Sequence, residues 1–307
     1  MDPILKIESI SQFHELIGVP PPHHPLVSLI ESKDIGKVID LSKTFGGNIR
    51  FSASMYSVMF KGKMSGSIGY GRNSYDFEEG TLIFGSPDQV FSIPEGEAVH
   101  EHDGWTLLFH PDLIRKSPLA TKMNEYTFFN YEVNEALHLS NKEKVFVKEL
   151  VNQIEEEYSQ NLDRHSQSLI VANIELLLNY CLRFYDRQFL TRTNLNSDLT
   201  AQFEGLLKDY FSSEELSERG IPQASFFGSE MGISTNYLSD MLKKSTGKST
   251  KQHIDDYVVT RAKTQLLSSQ KSVSEIAYGL GFEYPQSFSR LFKTKTGMSP
   301  NAYRNLN

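Results

Sequence analysis

The chain has 307 residues, of which 39% are hydrophobic, with a formal charge of −7 at neutral pH. That length exceeds what one core usually holds, so two domains are expected. The charged start Met1-Asp2-Pro3-Ile4-Leu5-Lys6-Ile7-Glu8 lacks a signal peptide's apolar centre, and no later run is apolar enough to span a bilayer, so the expectation is a soluble, cytoplasmic protein without a membrane partner.

The single cysteine, Cys181, excludes an intramolecular disulfide and sits in an apolar run from Leu176 to Leu182, where it reads as a small buried hydrophobe. Net acidity by itself argues against nucleic acid, but the charge is unevenly distributed. From Gly220 onward there are 11 Lys and Arg against 6 Asp and Glu, net +5, leaving 20 against 32, net −12, for the preceding part. Moving the boundary back to Thr191 takes in Glu214-Glu215-Leu216-Ser217-Glu218 and cuts the excess to 14 against 12. Any anion-binding face is therefore a local patch.

In chain order, Pro20-Pro21-Pro22 and His23-His24-Pro25 read as an extended arm. From about Ile49 to Phe109, Phe51, Ala53 and Met55, then Tyr56, Val58 and Phe60, alternate with polar residues. Lys61-Gly62-Lys63, Tyr70-Gly71-Arg72-Asn73, Glu78-Glu79-Gly80 and Gly85-Ser86-Pro87-Asp88 interrupt this segment at short intervals, the rhythm of an antiparallel sandwich or barrel. From about Asn141 the period becomes helical, with Val147, Leu150, Val151, Ile154 and Tyr158 on one stripe. A second helix, Ser166 to about Tyr185, is apolar around most of its circumference. It reads either as packed on the sheet and on its neighbour helix or as also forming a homodimer interface. Arg187 to Ser197 reads as an interdomain linker.

The carboxyl end writes one pattern twice. Gly232-Ile233-Ser234-Thr235-Asn236-Tyr237-Leu238-Ser239 and Gly281-Phe282-Glu283-Tyr284-Pro285-Gln286-Ser287-Phe288-Ser289 each lead into a basic helix end and a Gly-containing stop; from Ser234 and Tyr284 onward the offset is 50 residues. A short helix, Gln223–Glu230 or Val273–Tyr278, precedes each glycine. The following helix starts at Ser234, a good N-cap, or with Pro285, suited to a first helical position. Leu238, Met241 and Leu242, or Phe288, Leu291 and Phe292, face inward. The outward faces carry Thr235, Asn236, Ser239, Asp240 and Lys243 in the first copy, and Pro285, Gln286, Ser287, Arg290 and Lys293 in the second.

Asn and Gln can pair bidentately with adenine, Arg with guanine, and Asp can accept from cytosine, so these are side chains suited to a helix lying in the major groove. Between the copies Thr250–Ser268 reads as one helix, which at ~1.5 Å per residue spans on the order of 25 Å, enough to hold two reading helices about one DNA turn (~34 Å) apart.

From about Leu199 to Arg304 the chain resembles the AraC/XylS family of bacterial transcription regulators. Ser274-Glu275-Ile276-Ala277, Gly281-Phe282, Phe288-Ser289-Arg290-Leu291-Phe292-Lys293 and Gly297-Met298-Ser299-Pro300 carry the resemblance best. It implies an activator that binds promoter DNA through two helix-turn-helix subdomains and contacts RNA polymerase. Its reading residues would be Asn236, Ser239 and Asp240, then Gln286, Ser287 and Arg290. Gly228 departs from the family's usual alanine, which is expected to weaken that helix by up to ~1 kcal/mol. Val258 replaces a common basic residue, and Tyr284 a common capping Asp or Ser.

Tyr75-Asp76-Phe77-Glu78-Glu79-Gly80-Thr81-Leu82-Ile83-Phe84 with Pro87-Asp88-Gln89 resembles the cupin-type sensor barrel of many such proteins, which implies an unknown small-molecule effector. Because many cupins hold a metal through His-x-His, His100-Glu101-His102 with His110 raises a metal-dependent enzyme as the alternative. The loop-like Pro94-Glu95-Gly96-Glu97 before it and the amide at Gln89 favour no metal and no cofactor. A third reading is a protein-interaction module with a helical carboxyl-terminal domain.

The expected architecture is multi-domain α+β. A cupin-like β-barrel with a helical hairpin spans residues 1–190, for sensing and dimerisation. An all-α DNA-binding domain spans 191–307, with helix-turn-helix pairs at about 223–245 and 273–295 joined by a helix at about 250–268. The expected role is regulatory, with no catalytic residues.

Overall fold

The computed structural model describes residues 4–34, 49–62, 80–93, 104–132, 135–191 and 193–305. The expected turns at Tyr70–Asn73 and Glu78–Glu79, the motif from Tyr75, and His100-Glu101-His102 lie outside the described residues or overlap them only in part. The chain divides into two compact units, Met1–Gln188 and Phe189–Asn307.

The described strands of the first unit form two sheets. One joins β1 (Ile4–Ile7), β3 (Ile49–Ala53) and β6 (Val90–Ile93) in the order β1-β3-β6, with β1 parallel to β3. The other is antiparallel in the order β2-β7-β4-β5-β8, from Val27–Glu31, Gly104–Phe109, Tyr56–Lys61, Thr81–Gly85 and Leu137–His138. The chain changes sheets five times between its described strands, from β1 to β2, β2 to β3, β3 to β4, β5 to β6 and β6 to β7. Between β3 and β4 it does so in only Ser54 and Met55, where the Ser54 amide donates to the Ile7 carbonyl (2.9 Å). Between β5 and β6 it passes through Asp88, whose φ of 62° fits the local turn. The expected closed barrel is not formed among the described residues, because the strands divide between two separate sheets. The sheets share a core in which Ile7 and Phe51 of one meet Ile30 and Leu108 of the other, together with Ile10 of α1 (Ile10–Ile17).

Beyond β7 come two single turns, α2 (Pro111–Ile114) and α3 (Leu119–Lys122), then the long pair α4 (Asn141–Ser159) and α5 (Ser166–Thr191). The pair packs as an apolar stripe must. The Leu29 amide of β2 donates to the Tyr158 hydroxyl (2.8 Å), and burial pushes that hydroxyl's pKa up to about 12. Tyr185 stacks on Phe128 and reaches Phe84 of β5, and Phe146 of α4 meets Tyr180 of α5 edge to face, 4.4 Å between centroids. Gln188 accepts from the His138 amide (2.8 Å) and donates to the Ala136 carbonyl (3.2 Å). Cys181 is fully buried, and burial pushes its thiol up. The proline arm is held by its start, since the buried His14 ring bonds the Pro20 carbonyl and, at 2.9 Å, the Ser28 hydroxyl.

The second unit is helical: α6 (Thr193–Tyr210), α7 (Glu215–Arg219), α8 (Ala224–Met231), α9 (Thr235–Thr246), α10 (Thr250–Ser268), α11 (Val273–Gly279), α12 (Pro285–Thr296) and α13 (Pro300–Arg304). The boundary between the two units falls within the expected linker from Arg187 to Ser197, and the described residues of that segment are helical, the end of α5 and the start of α6. Its Thr and Asn carry low helical propensity, but Asn196 is buried with its amide donating to the Phe189 carbonyl (2.6 Å), a tertiary satisfaction that composition does not reveal. Around α10 lie two small cores. Phe203, Phe227, Leu238, Met241 and Leu242 fill one, and Ile276, Leu280, Phe288 and Phe292 the other. Ile254, Val258, Ala262 and Leu266 of α10 are buried, and Val258 has no exposed surface to offer a phosphate.

Candidate nucleic-acid interface

Each copy is built by the same local bonds. In the first, Gly232 ends α8 in the left-handed region (φ 66°) and the Ile233 amide donates to the Gly228 carbonyl (3.0 Å). In the second, Gly281 (φ 86°) ends the turn and the Phe282 amide donates to the Ala277 carbonyl, also at 3.0 Å. Ser234 then caps α9 by accepting from the Tyr237 amide (3.1 Å). Tyr284 caps α12 with its backbone alone, extended at φ −126°, and leaves Pro285 to set the first turn.

The copies are not identical in length. Gly232 answers Gly281 at an offset of 49 residues (281 − 232), whereas Ser234 answers Tyr284 at 50 (284 − 234). The extra residue is Glu283, exposed in the second turn.

The helix ends repeat as closely. Gly247 and Gly297 donate to the Lys243 and Lys293 carbonyls at 3.0 and 2.8 Å. Thr246 and Thr296 each donate to a carbonyl four residues back (2.7 Å) and accept from the amide two residues on (3.2 Å). Ser249 and Ser299 then cap the next helices. These bonds are all local, so the sequence carries them openly.

The turns bring together the side chains expected at the interface. On α12, Gln286, Ser287, Arg290 and Lys293 are exposed and Pro285 is partly so, while Phe288 and Phe292 are buried beneath them. On α9, Lys243 is exposed and Thr235, Asn236, Ser239 and Asp240 are half-buried over Leu238, Met241 and Leu242. Leu291, expected inward, is half-buried. Two tyrosines beside the second turn, Tyr278 and Tyr284, are each 59% exposed, and neither is among the residues expected to face DNA. Two large rings standing in solvent next to the second reading helix were the available signal.

In the first unit, His110 is an N-cap: its ring accepts from the Asp112 amide (3.2 Å). No group of three or more potential metal ligands occurs among the described residues. No described helix is long and apolar enough to cross a membrane.

Two capped helix-turn-helix pairs on one connecting helix define the carboxyl-terminal unit as an AraC-type helix-turn-helix domain. Residues 228–306 match the family model described as a helix-turn-helix domain. Among similar proteins, YobQ of Bacillus subtilis strain 168, named an uncharacterized HTH-type transcriptional regulator, is 39% identical over 69 residues, 22% of this chain and 29% of its own. The HTH-type transcriptional activator RhaS of Salmonella paratyphi B is 31% identical over 135 residues, 44% of this chain and 46% of its own. The carboxyl-terminal domain of AraT, a response regulator from Geobacillus stearothermophilus, is 26% identical, with a TM-score of 0.32 over 36% of this chain and 85% of that one. The chain thus spans less than half the length of either curated relative.

Proposed function

We propose that this chain is a sequence-specific DNA-binding transcription regulator with a non-enzymatic role. The observation that carries the reading is the doubled cap, turn and cap, which presents one polar helix face per copy. In this reading α9 and α12 enter successive major grooves. Asn236, Ser239 and Asp240 read one half-site, Gln286, Ser287 and Arg290 the other, and Lys243 and Lys293 meet phosphates. Residues 191–307 form the DNA-binding domain and 1–190 a cupin-like sensor of a small-molecule effector.

The name of RhaS, a transcriptional activator, supports an activating role, and in this reading the protein contacts RNA polymerase at a promoter. Exposed leucines on α5 support a homodimer, and the place of action is the cytoplasm.

Selection of bound duplexes from a random library, followed by titration in rising salt, tests the core of the reading. Affinity should fall steeply with salt, with a slope of about −0.9 per phosphate contacted. Arg290→Ala should cost about 1–3 kcal/mol and relax preference at one base pair, whereas Lys293→Ala should weaken all sequences alike. Recovery of no duplex, or an equal loss on every sequence for Arg290→Ala, counts against it.

A further inference from the structure

One carboxylate of the connecting helix lies between the far ends of both reading helices. Asp256, in the second turn of α10, receives Lys248 on one oxygen and Lys295 on the other, each at 2.8 Å. Lys248 directly follows Gly247, the C-cap of α9, and Lys295 is the penultimate residue of α12. The Asp256 side chain is 36% exposed and Lys295 27%, so the second pair is the better shielded. Burial raises the Asp256 carboxyl, and the two ammonium hydrogen bonds more than offset this, leaving it below the ordinary carboxylate value. Lys295 also acts on Asp255, whose carboxyl burial pushes up.

Interfaces between two small cores on one helix are easily tilted unless something ties them. The connecting helix fixes the distance along its axis, and the Lys295–Asp256 pair adds a polar tie between it and α12. Ties at the reading-helix ends restrict rotation of each head about α10. A second contact works in the same sense: the backbones at Gly220 and Gly281 approach so closely that a Cβ on Gly220 would lie 2.9 Å from the Gly281 carbonyl oxygen.

We infer that Asp256 is a positioning residue that holds the carboxyl ends of α9 and α12 at a fixed separation, and so sets the half-site spacing that the protein accepts. The same pairing withholds Lys248 and Lys295 from DNA phosphates, so the carboxylate favours correctly spaced sites over non-specific duplex. This inference rests on the two-groove reading above.

The test uses the full chain, the bipartite duplex selected by the wild type, versions of it with the spacer changed by one base pair, and a duplex carrying one half-site. Wild type should discriminate against the altered spacers. Asp256→Asn, which keeps the shape and removes the charge, should reduce that discrimination by roughly threefold to thirtyfold, the range two partly exposed ion pairs allow. It should not lower affinity for a single half-site, which the two freed lysines can only raise, and Asp256→Glu should restore most of the discrimination. Combining Asp256→Asn with Lys295→Gln should add little beyond Asp256→Asn alone, which already removes both pairs. If Asp256→Asn destabilises the helical unit in a thermal melt, Lys295→Gln alone serves the same comparison from the other partner.

A spacing preference unchanged in the folded variants overturns the inference while leaving the two-groove reading intact. Equal loss on single half-sites overturns it too, because the carboxylate would then merely support the fold. A steeper salt dependence with unchanged spacing preference reduces Asp256 to a counter-charge and also overturns it. Selection of single half-sites only by the wild type removes the two-groove reading and the inference together.

Discussion

At the scale of single residues, two glycines separate what composition reveals from what only packing reveals. Gly228 reads as a weak point in α8. In the structure it is buried at the turn, where an added Cβ would lie 2.8 Å from the Ile233 carbonyl oxygen, so its helical cost is offset by the close approach it permits. Gly205, in the interior of α6, has nothing within 4 Å of that position. Alanine at 205 should therefore stabilise the second unit by up to ~1 kcal/mol. Alanine at 228 should destabilise it, the overpacking costing about 1–3 kcal/mol against that gain. Thermal melts followed by far-ultraviolet dichroism compare them directly, and a stabilised Gly228→Ala would show that the turn yields. Gly281 and Gly232 form a second pair. Both have positive φ, but only at Gly281 would a Cβ meet backbone, 3.0 Å from Gly220 and Ile221. Gly281→Ala should lose clearly more stability than Gly232→Ala, since strain alone is common to both.

Among elements, legibility follows the range of the bonds that make them. Helices α9 to α13 start at Ser234, Ser249, Ser272, Tyr284-Pro285 and Ser299, and all but the Tyr284 start have a serine hydroxyl accepting from an amide three residues on. Such caps are written within four residues, so both reading helices and the connecting helix could be placed from sequence. The strand region was legible as strands but not as a pairing pattern, because the sheet changes at Ser54-Met55 and near Asp88 depend on partners far along the chain. The helical form of the linker segment escaped for the same reason, since it depends on Asn196 and Phe189.

His253 of α10 joins three elements of the first copy: its ring bonds the Thr246 hydroxyl of α9 (2.7 Å) and stands edge-on to Phe203 of α6. Burial first, then Lys248, pushes its pKa below the usual histidine value. A histidine depressed on folding contributes stability that is fully present above its unfolded pKa, about 6.5, and is lost as pH falls through the folded value. Wild type should therefore lose more stability than His253→Gln between pH 7.5 and 5, measured as denaturation midpoints. Identical pH profiles would show that the ring stays neutral or water-accessible throughout.

For the whole molecule, the uneven charge assigns the two units different work. Residues 1–188 carry 17 Lys and Arg against 26 Asp and Glu, net −9, which discourages contact with DNA, whereas residues 189–307 carry 14 against 12, net +2, with the positive excess concentrated from Gly220 onward, which supports it. The acidic part instead offers an apolar face. Leu169 and Leu176 of α5 are 48% and 41% exposed and stand seven residues apart, two turns of one helix, so they share a side. Exposed leucines at heptad spacing are what a second helix covers, and a second copy is the partner the homodimer reading supplies. Burying a leucine completely is worth about 1.5–3 kcal/mol, so covering the exposed half of two leucines in each of two copies contributes several kcal/mol. Leu169→Asp with Leu176→Asp should then weaken self-association by at least about a hundredfold, since ~1.4 kcal/mol is a factor of ten. Sedimentation equilibrium of the full chain reads this directly, with dichroism to establish that α5 survives the change. A wild type that remains monomeric at tens of micromolar, or a double variant that associates as well as wild type, would leave these leucines as ordinary surface and require a different partner for the face.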